Sequence, residues 1–395
     1  MKKYDRITPD GTKDYILGEC KLLRSAGDAL RELYEKYGYS EAITPTIEFY
    51  DVFSEGVGRV SQNELYTLTD NAGRLLTMRP DSTKPIARMY AAHLQKSALP
   101  LRFFYDQPVF KRNISFSKKS DETMQMGVEL IGLLGEKCDL EVLMLALYSM
   151  QTLLGADFLI EIGHTGFIQS VLFGLDESVR KSVRHALAAK NYPELYRISA
   201  QLGDAGKKIN LLPELFGDGD VLKEAEELFP DCAAPLCELK NTLEVLSQNG
   251  FKENVLIDLA VAGDFDYYTG IVFKGFAKND RRELMSGGRY DSLYGDYDLE
   301  VPAIGFAVNL DEAVRLLAKK RGSKSKEQIL VLYANSADIF KLSPLVEQFS
   351  EQGFKCRISL FGGIDDTVLW AKKIGAAKVI ELTESGQTRE IDTNA

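Results

Sequence analysis

The residues able to do chemistry gather in a handful of short stretches. They are Thr8-Pro9-Asp10-Gly11-Thr12-Lys13-Asp14, Met78-Arg79-Pro80-Asp81-Ser82-Thr83 and Gln125-Met126-Gly127-Val128-Glu129, then Asp266-Tyr267-Tyr268-Thr269-Gly270 and Ser286-Gly287-Gly288-Arg289-Tyr290-Asp291. Carboxylates, hydroxyls, an amide and phenols of this kind serve polar recognition or acid–base work. Each stretch also has a plain structural alternative. Gly-Gly-Arg-Tyr-Asp equally builds a tight turn with a salt bridge, and Asp-Tyr-Tyr equally supplies core aromatics. Arg79 and Arg289 are expected to hold scaffold carboxylates rather than a ligand, and His164 to be a structural histidine rather than a base. Metal and thiol chemistry are disfavoured. The chain has five cysteines, without tight pairs, and three histidines, which fits incidental thiols better than a zinc site or a disulfide framework. No metal and no cofactor are expected.

The elements that must position these residues can be read from spacing. Leu23, Ala26, Leu30, Leu33 and Tyr37 step by three and four along one helix face, with Gly38 suited to the cap. Tyr39 to Tyr50 reads as an extended segment, in which Pro45 favours an edge or an interface. Leu65–Leu68 and Leu75–Met78 flank Asp70-Asn71-Ala72-Gly73 as a hairpin. Leu101–Phe110 and Thr123–Leu130 form another, and an amphipathic helix follows with Leu140, Leu143, Met144, Leu147 and Leu154 on one side. Residues 168–250 carry helical periodicity and acidic clusters, the texture of a helical insertion. Strands resume at Val255–Leu259 and Gly270–Phe276. Residues 319–327, basic and small, read as a linker, and 328–395 as a small α/β module. The expected class is α+β, an antiparallel sheet flanked by helices. The formal net charge of −10 gives no global case for nucleic acid. No apolar run nears the roughly 18 residues of a membrane span, and the polar start Met1-Lys2-Lys3-Tyr4-Asp5 is unlike a signal core. A cytoplasmic protein without membrane contact is expected.

In their order and spacing, the chemistry-bearing stretches resemble the class II histidyl-tRNA synthetase family over about residues 5–318. The resemblance implies an antiparallel synthetase-like sheet for 1–318 and a shortened anticodon-binding-like domain for 328–395. It also implies a pocket for free histidine. Asp81, Thr83 and Gln125 match the groups that hold the α-ammonium, Glu129 and Tyr268 those that grip the imidazole, and Tyr267 packs beside them. Such acceptors suit an ammonium with three donors and a ring with two nitrogens. Asp81 stands where the synthetases usually have glutamate, one methylene longer.

The nucleotide side departs from the family. Where a strand should end in Phe-Arg-x-Glu it reads Phe110-Lys111-Arg112-Asn113, and lysine lacks the planar fork of arginine. Arg112 is no simple substitute, because a one-residue slip along a strand turns a side chain to the other face. The arginine expected before Tyr-Tyr falls on Gly263, and the Gly-Leu-Glu-Arg motif reads Asn309-Leu310-Asp311-Glu312, a charge reversal at Glu312. Loss of one phosphoryl-stabilising arginine can cost on the order of a thousandfold in rate. Amino-acid adenylation is therefore expected to be lost. This combination resembles the non-catalytic branch of the family, the regulatory subunits of ATP phosphoribosyltransferase in histidine biosynthesis. That likeness implies the short-form transferase catalytic subunit as partner, histidine as effector, and a homodimer within a hetero-oligomer. tRNA is not expected as a partner. The competing reading is an active histidyl-tRNA synthetase with displaced arginines.

Overall fold

A computed structural model of the chain describes residues 4, 6–113, 120–260, 268–320 and 328–393. Helix α1 (Leu17–Lys36) buries Leu22, Leu23, Ala26, Leu30 and Tyr34. Of the face its spacing predicts, Leu23, Ala26 and Leu30 are buried, Leu33 is half-buried, and Tyr37 lies past the helix end and is exposed. It ends at Gly38, whose φ is +80°. The Gly38 amide donates to Glu35 O and the Tyr39 amide to Tyr34 O, so a residue free of the left-handed penalty lets the last carbonyls be satisfied.

The main sheet is built from β1 (Leu101–Phe110), β2 (Glu122–Ile131), β3 (Phe158–His164), β4 (Ile271–Ala277), β5 (Glu283–Arg289) and β6 (Ala303–Asn309). Their spatial order is β1-β2-β6-β5-β4-β3, antiparallel throughout. Ser40–Glu41 adds to the β1 edge in parallel, and Val255–Asp258 pairs in parallel with β3 at the other end. Side chains alternate between the faces of a strand. Phe104, Met126, Val128, Leu130, Ile304, Phe306 and Val308 therefore point one way, into a core shared with α1 and with the helices Glu136–Leu154 and Leu310–Lys320. The opposite face carries Tyr105, Gln125, Gly127, Glu129 and Gly305, and a second, aromatic cluster lies over it.

Two peripheral sheets complete the architecture of the described residues. In the first, Ile47–Phe49 pairs with Leu75–Met78, which pairs with Thr67–Thr69 around the expected turn. The stretch read as an insertion is helical, from Thr165–Val171 to Ala233–Gln248, with one short strand at Phe216–Gly217. By contact density the chain divides into Met1–Lys320 and Arg321–Ala395. The helix Leu310–Lys320 runs into the stretch read as linker, and residues 321–327 lie outside the described residues. The C-terminal unit holds Lys355–Ile358, Ile329–Tyr333 and Lys378–Leu382 in parallel, with Thr388–Asp392 closing the edge in antiparallel. That last strand carries little signal in the sequence, because Thr-Arg-Glu-Ile-Asp offers only one apolar residue. The α+β class holds.

Candidate ligand-binding site

The site begins at the helix Thr83–His93, which starts where Arg79-Pro80-Asp81-Ser82 ends. Buried Arg79 anchors this entry, its Nε donating to Pro108 O at 2.8 Å and an Nη to Thr44 O at 2.7 Å. The expectation that Arg79 holds a carboxylate is thus corrected. A planar guanidinium also satisfies carbonyls where two segments meet without a ladder. Gln107 completes the joint by donating to Thr44 Oγ1 and Ser82 Oγ.

So fixed, Asp81 accepts the Lys84 amide at 3.0 Å, and the Thr83 hydroxyl donates to Glu129 Oε1 at 2.8 Å. The Tyr290 hydroxyl donates to the other oxygen of Glu129. Glu129 is 1% exposed. Burial pushes its carboxyl from the ordinary 4.5 up to about 8, against the pull of the two hydroxyls and with help from Asp81. Asp81 is itself raised by burial, opposed by Lys84 and Lys111. Tyr105 donates to Gln125 Oε1 at 3.2 Å, and Tyr268 packs on the aromatic cluster with Tyr90, Tyr290 and Tyr294. Tyr267 lies outside the described residues.

A floor of glycines makes room for these side chains. Gly127 pairs with Tyr105 and Ala307, while Gly305 pairs with Glu129 and Gly288. A Cβ at Gly305 would stand 1.9 Å from Glu129 Oε2, and one at Gly127 2.6 Å from the Tyr105 hydroxyl. At Gly288 it would meet the Tyr268 ring at 3.0 Å. The result is a buried, acceptor-rich recess in which burial raises both carboxyls, an environment that favours a ligand bringing positive charge and N–H donors. Gly127, Gly305, Tyr105 and Tyr290 were not singled out as site groups from sequence. The period of two from Gln125 through Gly127 to Glu129 was the available signal.

The nucleotide-side positions are tied into the scaffold. Lys111 pairs with Glu64 at 3.1 Å, and the Arg112 guanidinium lies over the Tyr66 ring at 4.9 Å. Glu312 sits in the first turn of Leu310–Lys320, capped by Asn309 and paired with Arg315 and with Arg282 at 3.3 Å. Its neighbour Asp311 accepts from Tyr15, from the Met124 amide at 2.9 Å and from Lys13 at 3.1 Å. Gly263 lies outside the described residues. Arg289 holds Asp139 at 2.6 Å and Asp291 at 3.0 Å, so its Gly-Gly-Arg-Tyr-Asp run makes a strand end with salt bridges rather than a tight turn. His164 is structural. Its Nδ1 accepts the Gly166 amide, leaving Nε2–H for Glu238 at 3.1 Å, and burial lowers its pKa.

A family model described as histidyl-tRNA synthetase matches residues 11–313. The chain is 32% identical to an ATP phosphoribosyltransferase regulatory subunit of Clostridium acetobutylicum, over 98% of this chain and 97% of the relative. A regulatory subunit of Bacillus cereus is likewise 32% identical, over 96% and 93%. Among solved structures, an ATP phosphoribosyltransferase regulatory subunit/histidyl-tRNA synthetase from Bacillus halodurans superimposes with a TM-score of 0.82 at 28% identity, covering 96% of this chain and 99% of that one. A histidyl-tRNA synthetase from Nostoc shares the fold, with a TM-score of 0.79 at 19% identity over 99% and 98%.

Proposed function

Since the chain belongs to the histidyl-tRNA synthetase family, as one of its ATP phosphoribosyltransferase regulatory subunits, we propose that it senses free histidine in the Glu129 recess and relays feedback inhibition to the transferase. It is the non-catalytic partner in the first step of histidine biosynthesis. The transferase joins ATP to phosphoribosyl pyrophosphate. The observation that carries the sensing reading is Glu129, buried and held from both sides by Thr83 and Tyr290. One lone pair on each oxygen remains for an imidazole N–H. Asp81, Thr83 and Gln125 supply acceptors for the α-ammonium, and Tyr268 offers a hydroxyl to the second ring nitrogen. Beside this recess, Lys111 and Glu312 are spent on scaffold ion pairs, which supports loss of the phosphate-binding half of the ancestral site. The partner is the short-form catalytic subunit, and the C-terminal unit is a remnant of an anticodon-binding domain without a tRNA role.

Reconstitution tests this. Adding the purified chain to a short-form transferase should raise its activity, and histidine should inhibit the complex. A transferase fully active alone, or a complex indifferent to millimolar histidine, would refute the proposal.

A further inference from the structure

Lys84 is a lysine in a place that rarely holds one. It is 3% exposed, on the first turn of Thr83–His93, beside the recess. Its ammonium donates to Val52 O and to Glu55 O, each at 3.1 Å. Val52 lies within the short helix Asp51–Ser54 and Glu55 follows it, and in so short a helix the carbonyls lack partners of their own and favour a cation. The same loop is gripped from the other side. Both oxygens of Asp296 accept the Val57 amide, at 3.1 and 3.0 Å. Gly56, at a φ of +70°, allows the close approach, since a Cβ there would lie 2.2 Å from Asp296 Oδ2. This ammonium and this carboxylate thus add to the buried Phe53 side chain and the Val60 amide on Phe53 O in holding residues 52–57.

A buried ammonium needs nearby negative charge. Burial lowers the Lys84 pKa, and Asp81 and Asp296 oppose that shift, Asp81 the more strongly. Asp81 is thus shared. Its Oδ1 accepts the Lys84 amide at 3.0 Å on the same first turn, its charge favours the nearby ammonium, and under the histidine-sensing reading it is also an acceptor for the ligand's α-ammonium. A second cation at Asp81 draws on the same carboxylate and repels Lys84 in a low-dielectric setting.

We propose that Lys84 is a positioning residue that couples occupancy of Asp81 to the 52–57 loop, so that an α-ammonium bound at Asp81 weakens the hold of Lys84 and frees the loop. This rests on the histidine-sensing reading. The loop continues directly from the strand Ile47–Phe49, so its release acts on the surface beside that strand. Coupling is reciprocal, and removing the Lys84 charge should both loosen the loop and tighten histidine binding.

The test is amide hydrogen exchange over residues 52–58 of the full-length protein, with calorimetry on the same samples. In the wild type, saturating L-histidine should speed exchange there by on the order of tenfold. Imidazolepropionate, which lacks the α-ammonium, should leave it unchanged. In Lys84→Met, exchange should already be fast without ligand, histidine should add no further change, and affinity should rise severalfold. Asp296→Asn loosens the loop while keeping Lys84, so its exchange should start faster yet still respond to histidine. That variant separates a lost clamp from a damaged fold. If histidine binds the wild type and loop exchange is unchanged or slowed, the coupling is wrong while the sensing reading stands. If histidine does not bind, the sensing reading falls and the coupling with it.

Discussion

At the scale of single residues, Glu129 decides the most. Its carboxylate offers only acceptors, and Glu129→Gln turns one of the two oxygens into an NH2 donor that, in the proposed histidine site, opposes the imidazole N–H or a hydroxyl donor. An unmet buried donor costs about 1–3 kcal/mol, roughly a five- to hundredfold loss of affinity. Glu129→Gln should therefore weaken histidine binding by that range in calorimetry. Glu161→Gln, on β3 away from the recess, should not. Equal affinity in Glu129→Gln would remove Glu129 from the site. The same residue has a pH signature. Its carboxyl is raised from 4.5 to about 8 in the native protein, so between those values the unfolded state gives up a proton that the native state keeps. The stabilising contribution is complete below about 4.5 and is lost as pH rises through about 8. The wild type should lose up to about 1.4 kcal/mol per pH unit across that window relative to Glu129→Gln. Parallel stability–pH curves for the two proteins, by denaturant unfolding, would contradict the shift.

At the scale of elements, the recess exists because three neighbouring strands place glycine on one face. Gly305→Ala puts a methyl 1.9 Å from Glu129 Oε2 and 2.4 Å from Val128 O. The second contact is backbone and cannot yield easily, so the variant should lose about 1–3 kcal/mol of stability and most of its histidine affinity. Unchanged unfolding and unchanged binding would show that the floor is looser than described. The segments after β1 and after β6 also bear on chemistry. With Lys111 and Glu312 engaged by Glu64, Arg282 and Arg315, the chain should show no histidine-dependent exchange of pyrophosphate with ATP. Exchange clearly above a no-protein control would restore the synthetase reading. These elements were unevenly legible in the sequence. Helix α1 and the two hairpins carried clean periods and turn residues. β5 and β6 did not, because Gly287, Gly288 and Gly305 interrupt the apolar pattern and glycine within a strand reads as a break. Their glycines are the price of the recess. For the same reason Tyr105 and Tyr290 stayed hidden, since only the paired register shows which side chains face Gln125 and Glu129.

At the scale of the whole molecule, the three-stranded sheet is inside out. Ile47 and Phe49 are 44% and 47% exposed. By register they share their face with Met78, Leu76 and Leu68, all partly open to solvent. The opposite face buries Glu48, paired with Arg88 at 2.7 Å, and Thr77. A sheet that turns its apolar side outward and its charges inward is built to be covered. A second copy of the chain is the occupant expected here. Arg79 and Gln107 join this sheet to the start of the Thr83–His93 helix through Thr44 and Ser82, so a symmetric contact would bring two Glu129 recesses near one seam. A two-fold dimer uses the same patch on both chains, and an obligate one buries roughly 2,000 Å² or more. Light scattering at micromolar concentration should therefore report a dimer for the wild type. Ile47→Asp combined with Phe49→Asp should give a monomer, because each charge would be buried without a partner. The variant's circular dichroism should stay close to wild type, since neither side chain lies in a core. A wild-type monomer, or a double variant that remains dimeric, would move the interface elsewhere and leave the outward apolar face to the transferase.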